Sequence, residues 1–117
     1  MAGTWDLSRL EMVLLSDSTV SQDFKAALGL SATLTIQLNG TAVLTLRQPG
    51  QPDTTVSAHV SLRGDTLAYV AGNSGYEAIV SISGRMMTWR AVQTTYWDLD
   101  GDGSSEEVFE RDVWQRR

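Results

Sequence analysis

Apolar and polar residues alternate with a period of two over most of residues 31–117, the signature of strands with one face buried. Leu34, Ile36 and Leu38 alternate with Thr33, Thr35 and Gln37. After Asn39-Gly40 the rhythm resumes as Ala42, Leu44 and Leu46 against Thr41, Val43 and Thr45. A two-residue turn would oppose residue 36 to residue 43 and send the two apolar sets to opposite faces. A three-residue loop with a glycine bulge keeps them together and is the predicted form.

The same reasoning continues the sheet. Val56, Ala58, Val60 and Leu62 share a face, and a turn at Gly64-Asp65 opposes Leu62 to Leu67 and Val60 to Tyr69. Beyond a turn within residues 71–75, Tyr76, Ala78, Val80 and Ile82 alternate with Glu77, Ile79 and Ser81. A turn at Ser83-Gly84 then opposes Val80 to Met87 and Ala78 to Trp89, extending the inner face. Residues 93–97 lead into a polar loop, and residues 107–114 leave it as the last strand.

The first stretch, residues 4–15, mixes parities: Trp5 and Leu7 alternate, then Leu10, Met12 and Leu14 do so in the other phase. A strand with a bulge near Ser8 and Arg9 accounts for this, with a helix over residues 7–15 as the alternative. Residues 21–28 read as one short helix, with Phe24, Ala27 and Leu28 on one face, a serine at its start and Gly29 at its end. About eight or nine strands with a single helix and no alternation of helix and strand predict an all-β fold. The expected architecture is one domain over residues 1–117, an antiparallel up-and-down β-barrel of about eight strands.

Charge changes the picture at one place. Residues 98–112 hold seven of the fourteen acids (Asp98, Asp100, Asp102, Glu106, Glu107, Glu110, Asp112) against one base, Arg111. Concentrated acidity points to a cation site rather than to a generally acidic surface. Within this stretch Asp98, Asp100 and Asp102 stand at alternate positions before Gly103, as at the start of an EF-hand loop, and Ser104 offers a backbone carbonyl. The twelfth position, where a bidentate glutamate belongs, is Phe109. Glu106 or Glu107 would instead close the shell, between strands rather than helices. The expected ion is calcium, since many carboxylates on a flexible loop suit it better than magnesium, and its expected role is that of a structural clip.

The rest of the composition mostly excludes. With no cysteine there is no disulfide or thiolate chemistry, and a single lysine with scattered arginines makes no nucleic-acid stripe. No apolar run is long enough for a membrane span. His59 lies between Ser57 and Ser61 on one strand face, but no acid is placed to orient it, so an exposed outer histidine is expected rather than a catalytic one. Tyr69, Tyr76, Met87 and Trp89 fall inward, where they would either line a cavity for a small apolar ligand or fill the barrel themselves.

Gly3-Thr4-Trp5 at the head of such a chain resembles the Gly-x-Trp opening of lipocalins and their calycin relatives. With the short helical segment, SATLTIQLNGTAVLTL, the GDTL turn and the late WDLDGDGSSEE hairpin, the whole chain resembles bacterial lipocalin-like domains. The resemblance implies a barrel with Trp5 packed at one end and a family arginine matched by Arg111 or Arg116. It also implies an exported protein, periplasmic or extracellular in its mature form, with a cytosolic chain as the alternative. The leading expectation is a non-enzymatic barrel that binds a small apolar molecule or serves as a recognition module. A cyclase- or isomerase-type enzyme, or a domain that self-associates through the strand holding Ile79, are the alternatives.

Overall fold

The computed structural model describes residues 1–117. Ten strands and one short helix follow in the order β1 (Gly3–Leu14), β2 (Ser21–Asp23), α1 (Phe24–Leu28), β3 (Ser31–Ile36), β4 (Thr41–Arg47), β5 (Thr54–Arg63), β6 (Thr66–Ala71), β7 (Ser74–Ser83), β8 (Met86–Ala91), β9 (Thr95–Trp97) and β10 (Glu106–Arg116). Eight of them, β1, β3 to β8 and β10, pair antiparallel with their neighbours, and β1 with β10 closes the sheet into a barrel. The two three-residue strands are side pieces, β2 on β1 and β9 on β10. Closure leaves the eight barrel strands without open edges. In particular β7, with Ile79, bonds β6 on one side and β8 on the other, so it offers no edge for pairing with a second copy.

Strict up-and-down connectivity gives the barrel two ends. The base carries both chain termini and the connections at residues 37–40, 64–65 and 84–85, whereas the rim carries α1 and the connections at residues 48–53, 72–73 and 92–105. At the base the β3–β4 connection is the three-residue form: Ile36 pairs with Ala42, and Gln37 N–H donates to the Thr41 carbonyl at 2.9 Å. Gly40 has φ 90°, and a Cβ there would lie 2.6 Å from the Val60 carbonyl oxygen, so only glycine fits. The bulge in β1 also falls as expected, between Leu7 and Arg9.

Several expectations are corrected. Val80 opposes Trp89 and Ala78 opposes Ala91, because the turn uses Gly84 and Arg85 rather than Ser83 and Gly84. The slip is two residues, one full strand period, so every side chain keeps its face. Leu38 sits at the tip of its loop and is 97% exposed, and Leu62 beside the next base turn is also exposed. Alternation ceases to place a side chain where the ladder ends. The helix is shorter than expected: Ser21 belongs to β2, and the cap is Asp23, whose carboxylate accepts from the Lys25 N–H at 3.0 Å. Gly29 ends the helix in the left-handed region, φ 64°.

The interior is a cluster of twelve buried residues, among them Trp5, Leu34, Ala42, Val60, Leu67, Ala78, Met87, Trp89 and Trp114. Val13 and Phe109, paired across β1 and β10, are buried outside that cluster. Beside them Glu11 is buried and bonded to Arg111 at 3.1 Å, to Arg9 at 2.9 Å and to Ser21 at 3.2 Å. A buried carboxylate is tolerable with such partners. Phe24 meets Trp97 edge-on at 5.6 Å, which ties α1 to β9 at the foot of the acidic loop.

Candidate functional site

Two chambers open at the rim end. The outer one, about 660 Å³, is bordered by Met12, Ala68, Val70, Gly75, Glu77 and residues of the 91–95 segment. The inner one, about 260 Å³, lies among Leu34, Leu44, Tyr69, Tyr76, Trp89, Glu110, Asp112 and Trp114. Tyr69, Tyr76 and Glu110 border both, so the two are one cleft narrowing into the barrel. The inner chamber alone is smaller than a drug-sized pocket and fits a small metabolite.

Strand alternation explains who lines it. On β10 the even residues Glu110, Asp112 and Trp114 face inward beside Trp89 of β8, while Phe109 and Arg111 face outward. The rings of Tyr69, Tyr76 and Trp114 stand 6.3, 6.4 and 5.5 Å from that of Trp89. Five buried side-chain polar atoms have no hydrogen-bond partner within the protein: Tyr69 Oη, Tyr76 Oη, Trp89 Nε1, Asp112 Oδ1 and Trp114 Nε1. All five belong to residues that line the inner chamber.

The electrostatics follow from that burial. Loss of water, reinforced by the neighbouring Glu110 carboxylate, raises Asp112 well above the ordinary carboxylate range. Burial likewise raises Tyr69 and, with the charges of Asp112 and Glu110, Tyr76. Both phenols therefore stay protonated.

At the same end, the acidic loop brings together oxygens of Asp98, Asp100, Asp102 and Glu106, all within 4.8 Å of one another. Main-chain N–H groups hold the carboxylates: Asp98 accepts from Asp102 at 3.1 Å and Gly103 at 2.9 Å, and Asp102 accepts from Ser104 at 2.8 Å. The Asp102 N–H also lowers Asp100. Although the Leu99 N–H draws Glu106 down, burial and the charges of Asp100 and Asp102 outweigh it and raise Glu106. Four converging carboxylates can hold a metal ion, and hard oxygens alone fit a hard cation. Glu107 is turned away from the four and accepts from the Thr94 hydroxyl at 2.6 Å.

No family model and no curated protein matches the chain.

At the base, Trp5 is 1% exposed and donates its Nε1–H to the Met1 carbonyl at 3.0 Å. The guanidinium that covers it is that of Arg116, 5.4 Å from the ring centre, donating also to the Ala2 carbonyl at 2.9 Å. Arg111 instead serves Glu11 on the outside of the barrel. Gly3 has φ 139°, a backbone conformation that L side chains rarely adopt, which accounts for glycine before Thr4-Trp5, and the Arg116 guanidinium lies 3.0 Å from where a Cβ would stand.

Of the residues expected to meet a ligand, Tyr69, Tyr76 and Trp89 border the inner chamber, and Met87 is wholly buried without lining it. His59 is exposed on the outer face beside Gly40. Sequence reasoning missed Glu110, Asp112 and Trp114, having counted the two acids with the loop. Their signal was parity: Val108, Glu110, Asp112 and Trp114 are consecutive even positions of one strand.

Proposed function

We propose that this protein is a lipocalin-like binding barrel that takes a small ligand into its interior from the rim. One observation carries the reading: every buried side-chain polar atom without a protein partner belongs to the lining of a single chamber. An unsatisfied buried polar group costs about 1–3 kcal/mol, so five gathered in a filled core would be a heavy burden, whereas a ligand with matching groups offsets them. Leu34, Leu44 and four aromatic rings supply the surface for an apolar body. Glycine, tryptophan and arginine stacked at the base support the family likeness. Export to the periplasm or the outside belongs to the same reading and rests on that likeness.

Titration with N-phenyl-1-naphthylamine, a neutral probe that brightens when desolvated, tests the binding. The expected result is a saturable signal of one probe per chain that Leu44→Trp, which narrows the chamber, abolishes. No saturable signal, or one that Leu44→Trp leaves untouched, would sink the reading.

In the rim loop we propose calcium, held by Asp98, Asp100, Asp102 and Glu106, with the Ser104 carbonyl as a further ligand. The clip would fix the connection that returns β10 to close the barrel. An ion bound only by the folded chain raises its stability by about 2.7 kcal/mol at a hundred times its dissociation constant. Melting temperature should therefore rise with millimolar calcium over chelator, more than with magnesium, and the paired change Asp98→Asn and Asp100→Asn should erase the rise. Equal melting in calcium and chelator would exclude the clip.

A further inference from the structure

We propose that the inner chamber is a site for a small organic cation, a protonated amine whose apolar body also carries an acceptor oxygen. The inference rests on the reading of the barrel as a ligand-binding interior and names the class of ligand.

Charge is the first argument. Glu110 and Asp112 both border the chamber, and no lysine, arginine or histidine borders either chamber. The arginines nearest in sequence and register are engaged on the outer face, Arg111 with Glu11 and Arg90 over the ring of Phe109 at 4.4 Å. Asp112 is 7% exposed with Oδ1 unpartnered. A carboxylate so placed is stable in its ionised form only beside a positive charge, and the protein supplies none. The contrast with Glu11, equally buried and paired with two arginines, is internal to the molecule.

The lining gives the second argument. Two tyrosines and a tryptophan surround Trp89, and aromatic faces attract an ammonium group by their quadrupoles. A metal ion is a poorer occupant of the same space, because beyond the two carboxylates and two protonated phenols the lining is Leu34, Leu44 and two indoles, short of the roughly six to eight oxygens of a hard-cation shell. The N–H groups of Trp89 and Trp114 can only donate, so the occupant must also bring an acceptor. Finally, the rim that admits the ligand carries the acidic loop, whose field enriches cations at the entrance.

Proton bookkeeping supplies a readout. The titratable groups facing Asp112 are Glu110 on its own strand and the phenols of Tyr69 and Tyr76 across the chamber. Without a counter-charge Asp112 holds a proton well above the usual carboxylate range. An arriving ammonium group favours the carboxylate, and the carboxyl proton leaves to the buffer.

The test compares three probes of matched size, 2-amino-1-phenylethanol (cation), 1-phenyl-1,2-ethanediol (neutral) and mandelate (anion), by calorimetry at pH 6 in buffers of different ionisation enthalpy. The cation should bind at least tenfold tighter than the diol, with mandelate weakest. Its binding should release up to one proton, and Asp112→Asn should remove both the preference and the release while keeping a cooperative melt. Because the probe series and the proton count are measured on the parent chain, they decide the matter even if the variant fails to fold. Equal binding of all three, or tightest binding of mandelate, overturns the amine assignment and leaves the binding barrel standing. So does failure of all three at millimolar concentration while the naphthylamine probe binds. Failure of that neutral probe as well removes both readings.

Discussion

Trp5 at the base and Trp114 in the lining of the inner chamber are nearly equally buried, 1% and 4% exposed, yet they are not equivalent. Trp5 donates to the Met1 carbonyl and lies under a guanidinium, so both its polar edge and its face are matched within the chain. Trp114, like Trp89 beside it, has an N–H with no acceptor, next to a carboxyl with no cation. Burial alone would class all three as core. Hydrogen-bond accounting separates a plug that completes the fold from a surface that awaits something outside the chain.

Removing the plug should have the largest effect. Trp5→Ala deletes the largest side chain among the fully buried residues and opens the base, at a cost of about 3–5 kcal/mol. Urea unfolding should show the loss as a lower midpoint, with the chain close to unfolding at ambient temperature. A midpoint shift no larger than that of an exposed substitution would mean that the base is not the stabilising end.

Asp112→Asn should act in the opposite direction. Because the folded-state pKa of Asp112 is raised, the native chain keeps a proton that the unfolded chain has already lost. Stability contributed by that group is therefore fully present below the unfolded value near 3.8 and declines as pH rises from there towards the folded value. The neutral amide escapes this decline, gaining about 1.4 kcal/mol for each unit by which the folded pKa exceeds the unfolded one, up to the working pH. Parent and variant should match near pH 3.5 and diverge by pH 7, with the variant more stable. Parallel pH profiles would mean that Asp112 is already paired.

The contrast between the plug and the chamber lining was only half legible in the sequence. Parity ruled out a two-residue β3–β4 turn, which would have sent Ile36 and Ala42 to opposite faces. Parity could not locate the β7–β8 turn, because a slip of two residues preserves every face. The backbone decides that turn: Gly64, Gly72 and Gly84 each stand at the first turn position with φ near 60° (64°, 59° and 59°), so the glycine opens the turn rather than closing it. The Asp98, Asp100 and Asp102 spacing was legible as oxygen ligands because their geometry is local. Glu110 and Asp112 were not, because a count of charge along the chain merges a solvated loop with the strand that follows it. The choice of Arg116 over Arg111 as the partner of Trp5 required knowing which face of β10 each occupies.

The smallest effect belongs to that arginine. Arg116→Gln removes the cation above the Trp5 ring and the bond to the Ala2 carbonyl, while the main-chain N–H of residue 116 keeps its 2.7 Å bond to the Arg85 carbonyl. Arg116 is solvent-exposed, where a cation–π contact contributes about 0.5–1 kcal/mol, so the urea midpoint should fall by that modest amount. Arg116→Lys separates the sources of the loss: it keeps the charge but not the planar group that stacks on the indole and reaches the carbonyl together. If lysine restores the midpoint fully, charge alone covers Trp5 at the base. If lysine behaves as glutamine does, the flat guanidinium is what the Gly3 backbone, with no Cβ to obstruct it, was shaped to receive.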